Sequence, residues 1–65
     1  MSGLVTTRNL TDPDATYARL IAAHEGRTDD QSATFNARLI LILMNHIGDP
    51  EVLADAIEVA GRSAG

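Results

Sequence analysis

Residues 36–50 read NARLILILMNHIGDP, and this stretch places six large apolar residues in succession, Leu39 to Met44, before a glycine, an aspartate and a proline. A helix formed by the apolar run has no continuous polar side, and a helix that is apolar nearly all round is normally buried. The Gly48-Asp49-Pro50 sequence is typical of one helix ending and the next beginning. The stretch therefore predicts a buried helix that must find cover within or outside a chain of 65 residues.

A chain this short has a limited capacity to bury itself. Domains of about 60 residues bury only roughly 60% of the surface that their unfolded chain exposes. A single core of this size rarely supplies more than about 3–5 kcal/mol. Disulfides cannot add to this, because the sequence has no cysteine, a composition that also fits a reducing cytoplasm. We therefore expect one small domain whose stability depends on a partner.

The charge balance and the hydropathy pattern disfavour two classes of partner. Nine acidic residues against five basic ones give a formal net charge of −4, whereas nucleic-acid binding draws its affinity from neutralised phosphates. The N-terminus lacks the basic start and apolar run of a signal peptide. The apolar run is also far shorter than the roughly 20 residues that cross a bilayer. We expect a cytoplasmic protein that binds neither nucleic acid nor membrane.

Start and stop signals divide the sequence into three helices. Thr11 to Asp14 predicts a start with Thr11 as the cap, Thr28 to Gln31 has the spacing of a capping box, and Asp49-Pro50 predicts a third start. Gly26 and Gly48 are placed to end the first two helices. The prediction is an all-α, three-helix domain over residues 11–65, with helices at about 12–25, 29–47 and 50–62.

Residues 1–10 are predicted to form an extended N-terminal arm outside this domain. Termini are ordered only where something ties them down. One interpretation is therefore a loosely ordered arm, and another is an arm that lies on a partner through Leu4 and Leu10. A third interpretation, in which the arm folds back over the apolar middle helix, would leave a self-sufficient monomer.

The middle helix is expected to present apolar side chains on two sides. The first and third helices have one apolar stripe each, as amphipathic helices do, and should cover the side that includes Leu43 and Ile47. Leu41 and Ile42 fall on the other side, and an adjacent apolar pair there on so small a chain indicates an intermolecular contact. The predicted interface comprises Arg38, Leu41, Ile42 and Asn45.

Three polar side chains along this helix are candidates for a polar site. Asn36 falls on the inner apolar line, so we expect it to be buried and paired within the protein. A buried Asn can fix the register of a partner, and binding a ligand is the alternative. His46 lies at the carboxyl end of its helix, where a cation is favoured. The candidate polar site comprises Asn36, His46 and Asp49.

His24 and His46 do not form a metal site within one chain, because each ends a different helix. If the first two helices are antiparallel, the length of the middle helix separates the two rings by about 25 Å. We instead expect His24 to be a half-buried residue with a hydrogen bond near the start of the second helix. The sequence contains no H-E-x-x-H motif, phosphate-binding loop or nucleophile motif that would indicate catalysis.

Two long segments resemble a known family. They are NLTDPDATYARLIAAHEG, residues 9–26, and NARLILILMNHIGDPEVLADAI, residues 36–57, and they resemble the domain-of-unknown-function family 2783, a group of short proteobacterial proteins. The resemblance implies no activity. The loose association of its members with genes for flavin-dependent oxidoreductases of aromatic catabolism implies an accessory subunit. The family pattern also draws attention to Asn36, Arg38, Asn45, His46 and Asp49.

The leading functional expectation is a non-catalytic helical interaction protein with no cofactor. It would be a homodimer or an accessory subunit of a larger enzyme, with a flavin-dependent oxidoreductase as the candidate that the resemblance implies. The alternative is a small ligand- or metal-binding protein, or an enzyme, that uses Asn45, His46 and Asp49 at the junction of the last two helices.

Overall fold

A computed structural model of the chain describes residues 3–64; residues 1–2 of the predicted arm and residue 65 of the predicted domain lie outside the described residues. The helices are α1 (Pro13–Ala23), α2 (Asp29–Ile47) and α3 (Pro50–Ala64). No strand occurs in the described part of the chain. The prediction of an all-α, three-helix domain is confirmed. The bounds of α2 are as predicted, whereas α1 is shorter at both ends and α3 extends further.

The start of α1 corrects one predicted cap. Asp12, and not Thr11, is the N-cap residue, and its carboxylate accepts a hydrogen bond from the Ala15 N–H at 3.0 Å. A carboxylate at this position satisfies one of the amides that the first turn leaves without a helical partner. Pro13 then occupies the first helical position, where its missing N–H costs nothing. The prediction of Thr11 as the cap was therefore wrong by one residue.

The start of α2 is a capping box, as predicted. The Gln31 N–H donates to the Thr28 hydroxyl at 3.2 Å, and the Thr28 N–H donates to the Gln31 side-chain oxygen at 2.9 Å. Two unpaired amides are satisfied reciprocally by this arrangement. It fixes where α2 begins and holds the two first-turn acids, Asp29 and Asp30, at the positive end of the helix dipole.

The turn from α2 to α3 is equally well defined. Gly48 has φ +72°, a left-handed conformation that glycine adopts without strain, and its N–H donates to the Met44 carbonyl at 2.9 Å. The Asp49 carboxylate then accepts from the Glu51 N–H at 3.0 Å and the Val52 N–H at 3.4 Å. These contacts confirm the predicted capping role of Asp49. Only two residues, Gly48 and Asp49, separate the two helices.

The three helices are not packed into a compact bundle. The radius of gyration is 13.4 Å and the molecule measures 40 × 26 × 25 Å, whereas a compact domain of this length has a radius of gyration of about 11 Å. Among the described helices, the closest backbone approach is between α2 and α3. The helices therefore lie apart for much of their length.

No described residue is buried, so the described chain has no interior of its own. Leu43 and Ile47, which α1 and α3 were expected to cover, are 48% and 49% exposed, and that expectation was wrong. The reason is partly one of length, because α1 has 11 residues and α2 has 19. At about 1.5 Å per residue, α1 spans little more than half of its neighbour.

The N-terminal arm lies against its own chain. Its first described residues line a surface hollow together with α3, and Leu4 is half-buried there. Leu41 and Ile42 are each 65% exposed, so the arm does not cover them, and the interpretation in which it folds back over that side of α2 was wrong. The hollow is lined by Gly3, Leu4, Thr6, Asp55, Glu58, Val59 and Arg62.

The Asp49 cap provides a test of the helix junction. We predict that Asp49→Ala lowers the free energy of unfolding by about 1 kcal/mol, because α3 loses its N-cap. The control is Asp30→Ala, which removes a first-turn acid whose side chain takes no part in the capping box of α2 and should cost about half as much or less. Thermal unfolding of both variants at one protein concentration compares them. Equal midpoints for Asp49→Ala and the unmodified chain would contradict the capping role.

Candidate functional surface

The junction of α1 and α2 is held by a group of side chains that we call the His24 cluster, formed by His24, Arg27, Phe35 and Asn36. The His24 Nδ1–H donates to the Leu20 carbonyl at 2.7 Å, and Nε2 lies 2.9 Å from the Asn36 Oδ1. The edge of one ring meets the face of the other in the His24–Phe35 pair, with centroids 4.9 Å apart and planes at 70°. The cluster therefore ties the end of α1 to the first half of α2.

Arg27 adds a cationic contact to the same cluster. Its guanidinium carbon lies 4.9 Å from the centroid of the Phe35 ring, a distance typical of a cation–π interaction. The Arg27 Nε–H also donates to the Ala23 carbonyl at 2.8 Å, which satisfies one of the last acceptors of α1. Phe35 is thus contacted by His24 and by Arg27, which makes it the apolar centre of the junction.

The hydrogen bonds of His24 can be kept in both charge states of the ring. A carbonyl only accepts, so Nδ1 carries a proton. Nε2 donates to the Asn36 oxygen when the ring is an imidazolium. In the neutral ring Nε2 accepts instead, and a half-turn of the carboxamide presents the Asn36 NH₂ group as the donor. Asn36 therefore acts as a structural partner of His24 in either state.

Two expectations about these residues have different outcomes. His24 is half-buried, as predicted, but it bonds to Asn36, about two turns beyond the start of α2 where the bond was expected. Asn36 is exposed, so its predicted burial was wrong, although the predicted pairing within the protein is present. The difference arises because the backbone of α1 does not approach α2 closely enough to cover Asn36.

The candidate polar site of Asn36, His46 and Asp49 is not assembled. Asn36 bonds to α1, while His46 lies ten residues further along α2, a rise of about 15 Å. The Asp49 Oδ1 is engaged with the first amides of α3. Within residues 3–64, no group of three or more His, Cys, Asp or Glu side chains is arranged to hold a metal ion. Asn36 therefore lies apart from the other two residues, and Asn36 and Asp49 have separate partners.

The predicted interface residues lie along α2 and all four are exposed. Leu41 and Ile42 are among the most exposed large apolar residues described, at 65% each. Arg38 and Ile42 also line an open cleft of about 310 Å³ beside the His24 cluster. Coverage of this side by a partner stays a prediction. The cleft is lined by Arg27, Gln31, Thr34, Phe35, Arg38, Leu39 and Ile42.

Two apolar grooves on the other side of α2 were not predicted from the sequence. The α1/α2 groove has a volume of about 720 Å³ and the α2/α3 groove about 290 Å³. Leu43 lines both, so the grooves meet along α2. The α1/α2 groove is lined by Leu10, Pro13, Asp14, Thr16, Tyr17, Arg19, Leu20, Ala23, Phe35, Leu39 and Leu43. The α2/α3 groove is lined by Ile40, Leu43, Met44, Ile47, Leu53, Ala56, Ile57 and Ala60.

A signal for the grooves was present in the sequence. The spacing of the caps limits α1 to fewer than 15 residues, which is too short to cover a 19-residue helix. The groove-facing side of α1 also ends in a small residue, Ala23.

None of the helices in residues 3–64 combines the length and the apolar character needed to cross a bilayer.

The His24–Asn36 bond can be measured by a double-mutant cycle. We predict a coupling of about 0.5–1.5 kcal/mol between His24→Ala and Asn36→Ala in the free energy of unfolding, the usual net value of one hydrogen bond. The matched control is Asn45→Ala, which removes the same side chain from the same helix and should show no coupling to His24→Ala. Additive effects for His24 and Asn36 would contradict the pairing.

Comparison with known proteins identifies a family to which the chain is similar. Residues 4–62 match the model of a family described as a protein of unknown function, DUF2783. No curated protein and no solved structure matches the chain. The match includes the two segments on which the resemblance was based, together with all three helix starts. Because the matched region covers nearly the whole sequence, the chain belongs to the DUF2783 family.

Proposed function

We propose that this protein acts by binding another protein chain in the cytoplasm, without catalysis of its own, as a homodimer or as an accessory subunit of a larger enzyme. The observation that carries the proposal is the exposure of its apolar side chains. Ten large apolar residues of the described chain are between 48% and 65% exposed, and no described residue is buried.

The exposed apolar side chains are worth as much free energy as the interactions that hold the isolated chain together. Full burial of one large apolar side chain is worth about 1.5–3 kcal/mol, whereas the core of a domain this small supplies about 3–5 kcal/mol in total. Because these side chains are already about half covered, covering about four of them would match the stability of the isolated chain. Association supports folding in such a case, because a partner that binds the folded state stabilises it.

The side of α2 that carries Leu41 and Ile42 has the composition of a contact surface. An apolar pair lies at its centre, with Arg38 and Asn45 beside it, and interfaces typically combine an apolar core with a polar rim. The helix that presents these residues has a capping box at one end and a left-handed glycine at the other. This surface is therefore held on a well-terminated helix, which limits the entropy lost on binding.

The alternative function at the α2–α3 junction has less support. It would use Asn45, His46 and Asp49, but the Asp49 carboxylate already accepts two backbone hydrogen bonds at the start of α3. Recruiting it to a ligand would sacrifice the cap, at a cost of about 1 kcal/mol. No observation in the described chain favours this alternative over binding a protein.

Amide hydrogen exchange of the dilute chain tests the proposal. At about 1 µM the isolated protein should show weak protection along α2, since opening of a region with few buried contacts costs little free energy. Protection should rise when the partner is present or when the protein is concentrated. Strong, cooperative protection of all three helices in a dilute monomer would contradict the proposal, because such a chain needs no partner.

A double substitution tests the predicted interface. We predict that Leu41→Glu with Ile42→Lys abolishes the association made through this side of α2, because charged groups are costly to bury at an interface without partners. The control is Ala15→Glu with Ala18→Lys, which introduces the same charges on an exposed side of α1 that lines neither groove. Analytical ultracentrifugation and far-UV circular dichroism compare the variants. Unchanged association of the Leu41/Ile42 variant would remove these residues from the interface.

A further inference from the structure

We infer that the two grooves are occupied by a second copy of this chain, in a two-fold symmetric dimer whose contact centres on Leu43. This inference rests on the proposed function and names the partner at the grooved side of α2. Leu43 lines both grooves and is 48% exposed. The two grooves thus form one continuous apolar surface that includes parts of α1, α2 and α3.

The exposed area matches what an obligate dimer requires. The chain exposes 5653 Å², whereas a compact monomer of this mass exposes about 4,000 Å². The excess is about 1,600 Å² per chain, and obligate dimers bury about 1,000–2,500 Å² on each partner. The extended arm contributes to the excess. Even half of it equals the roughly 800 Å² per partner of a standard stable interface.

The charges around the grooves suit a surface that meets its own copy. A two-fold contact presents the same patch from both chains, so a patch of one sign would repel itself. Although the chain carries a net charge of −4, the α2/α3 groove is lined entirely by apolar residues. The α1/α2 groove has one acid and one base among its lining residues, Asp14 and Arg19. The surface is therefore electrically balanced and offers little to a partner recognised by charge.

The shape of the surface also requires an occupant with a helical apolar face. The α1/α2 groove is open and about 720 Å³ in volume, and apolar grooves between helices typically accept the apolar face of another helix. The chain itself supplies such faces, because its helices remain about half exposed on their apolar sides. In an isologous dimer each copy fills the groove of the other, and the shared contact becomes the core that neither chain has alone.

Sedimentation equilibrium of the unmodified chain tests this inference directly. We expect a reversible monomer–dimer equilibrium, with the dimer as the main species at high micromolar concentration and helicity that falls as the dimer dissociates. A poorly protected monomer at every concentration would overturn the second copy as the occupant, yet would leave the proposed function standing with a different protein partner. A well-folded monomer at high micromolar concentration would overturn both.

A substitution at the centre of the surface locates the contact. Leu43→Asn should raise the dimer dissociation constant by about a hundredfold or more, since two buried leucines are lost per dimer. The control is Ala18→Asn, which introduces the same residue at an exposed helical position outside the grooves and should change the constant by less than tenfold. An unchanged constant for Leu43→Asn would overturn the placement of the contact. If that variant fails to fold, the solution mass of the unmodified chain from sedimentation equilibrium still distinguishes a dimer from a monomer.

Discussion

The structure depends on one constraint, which is that α2 carries more apolar surface than this chain can cover. The helix has apolar side chains on the side of Leu43 and on the side of Leu41. Of its two neighbours, α1 is too short to cover it, and α3 follows it after a turn of only two residues. The outcome is a set of well-terminated helices with no buried residue among those described. Under the proposed function, such a chain obtains its core by contact with another protein.

Local interactions, in contrast, are nearly complete. Each helix start has a side chain that accepts from backbone amides, namely Asp12, Thr28 and Asp49. The His24 cluster adds side-chain bonds between α1 and α2. These contacts define where the helices begin and how the end of α1 is attached to α2. Exposed hydrogen bonds of this kind contribute only about 1 kcal/mol each to the free energy of unfolding. The helices are thus specified locally, and in the proposed function apolar association supplies the rest of their stability.

The features that could be predicted from sequence are those that depend on a few neighbouring residues. The bounds of α2, its capping box, the glycine at its end and the role of Asp49 all follow from side chains within four positions of one another. The burial of Asn36 and the cover over Leu43 were predicted wrongly, because both depend on how closely α1 approaches α2. The contact of the arm with α3 and the two grooves were not predicted either. Both depend on interhelical angles, which the hydrophobic periodicity of a sequence does not encode.

We propose that this chain folds and associates in one event, and the concentration dependence of its thermal midpoint measures that coupling. Thermal unfolding followed by far-UV circular dichroism would be recorded from about 1 µM to about 500 µM protein, because a dimer that unfolds to monomers has a midpoint that rises with concentration. The expected result is a thermal midpoint that rises steadily across this range. A cooperative transition at the same temperature at every concentration would contradict it, because it would show a chain that is stable without a partner.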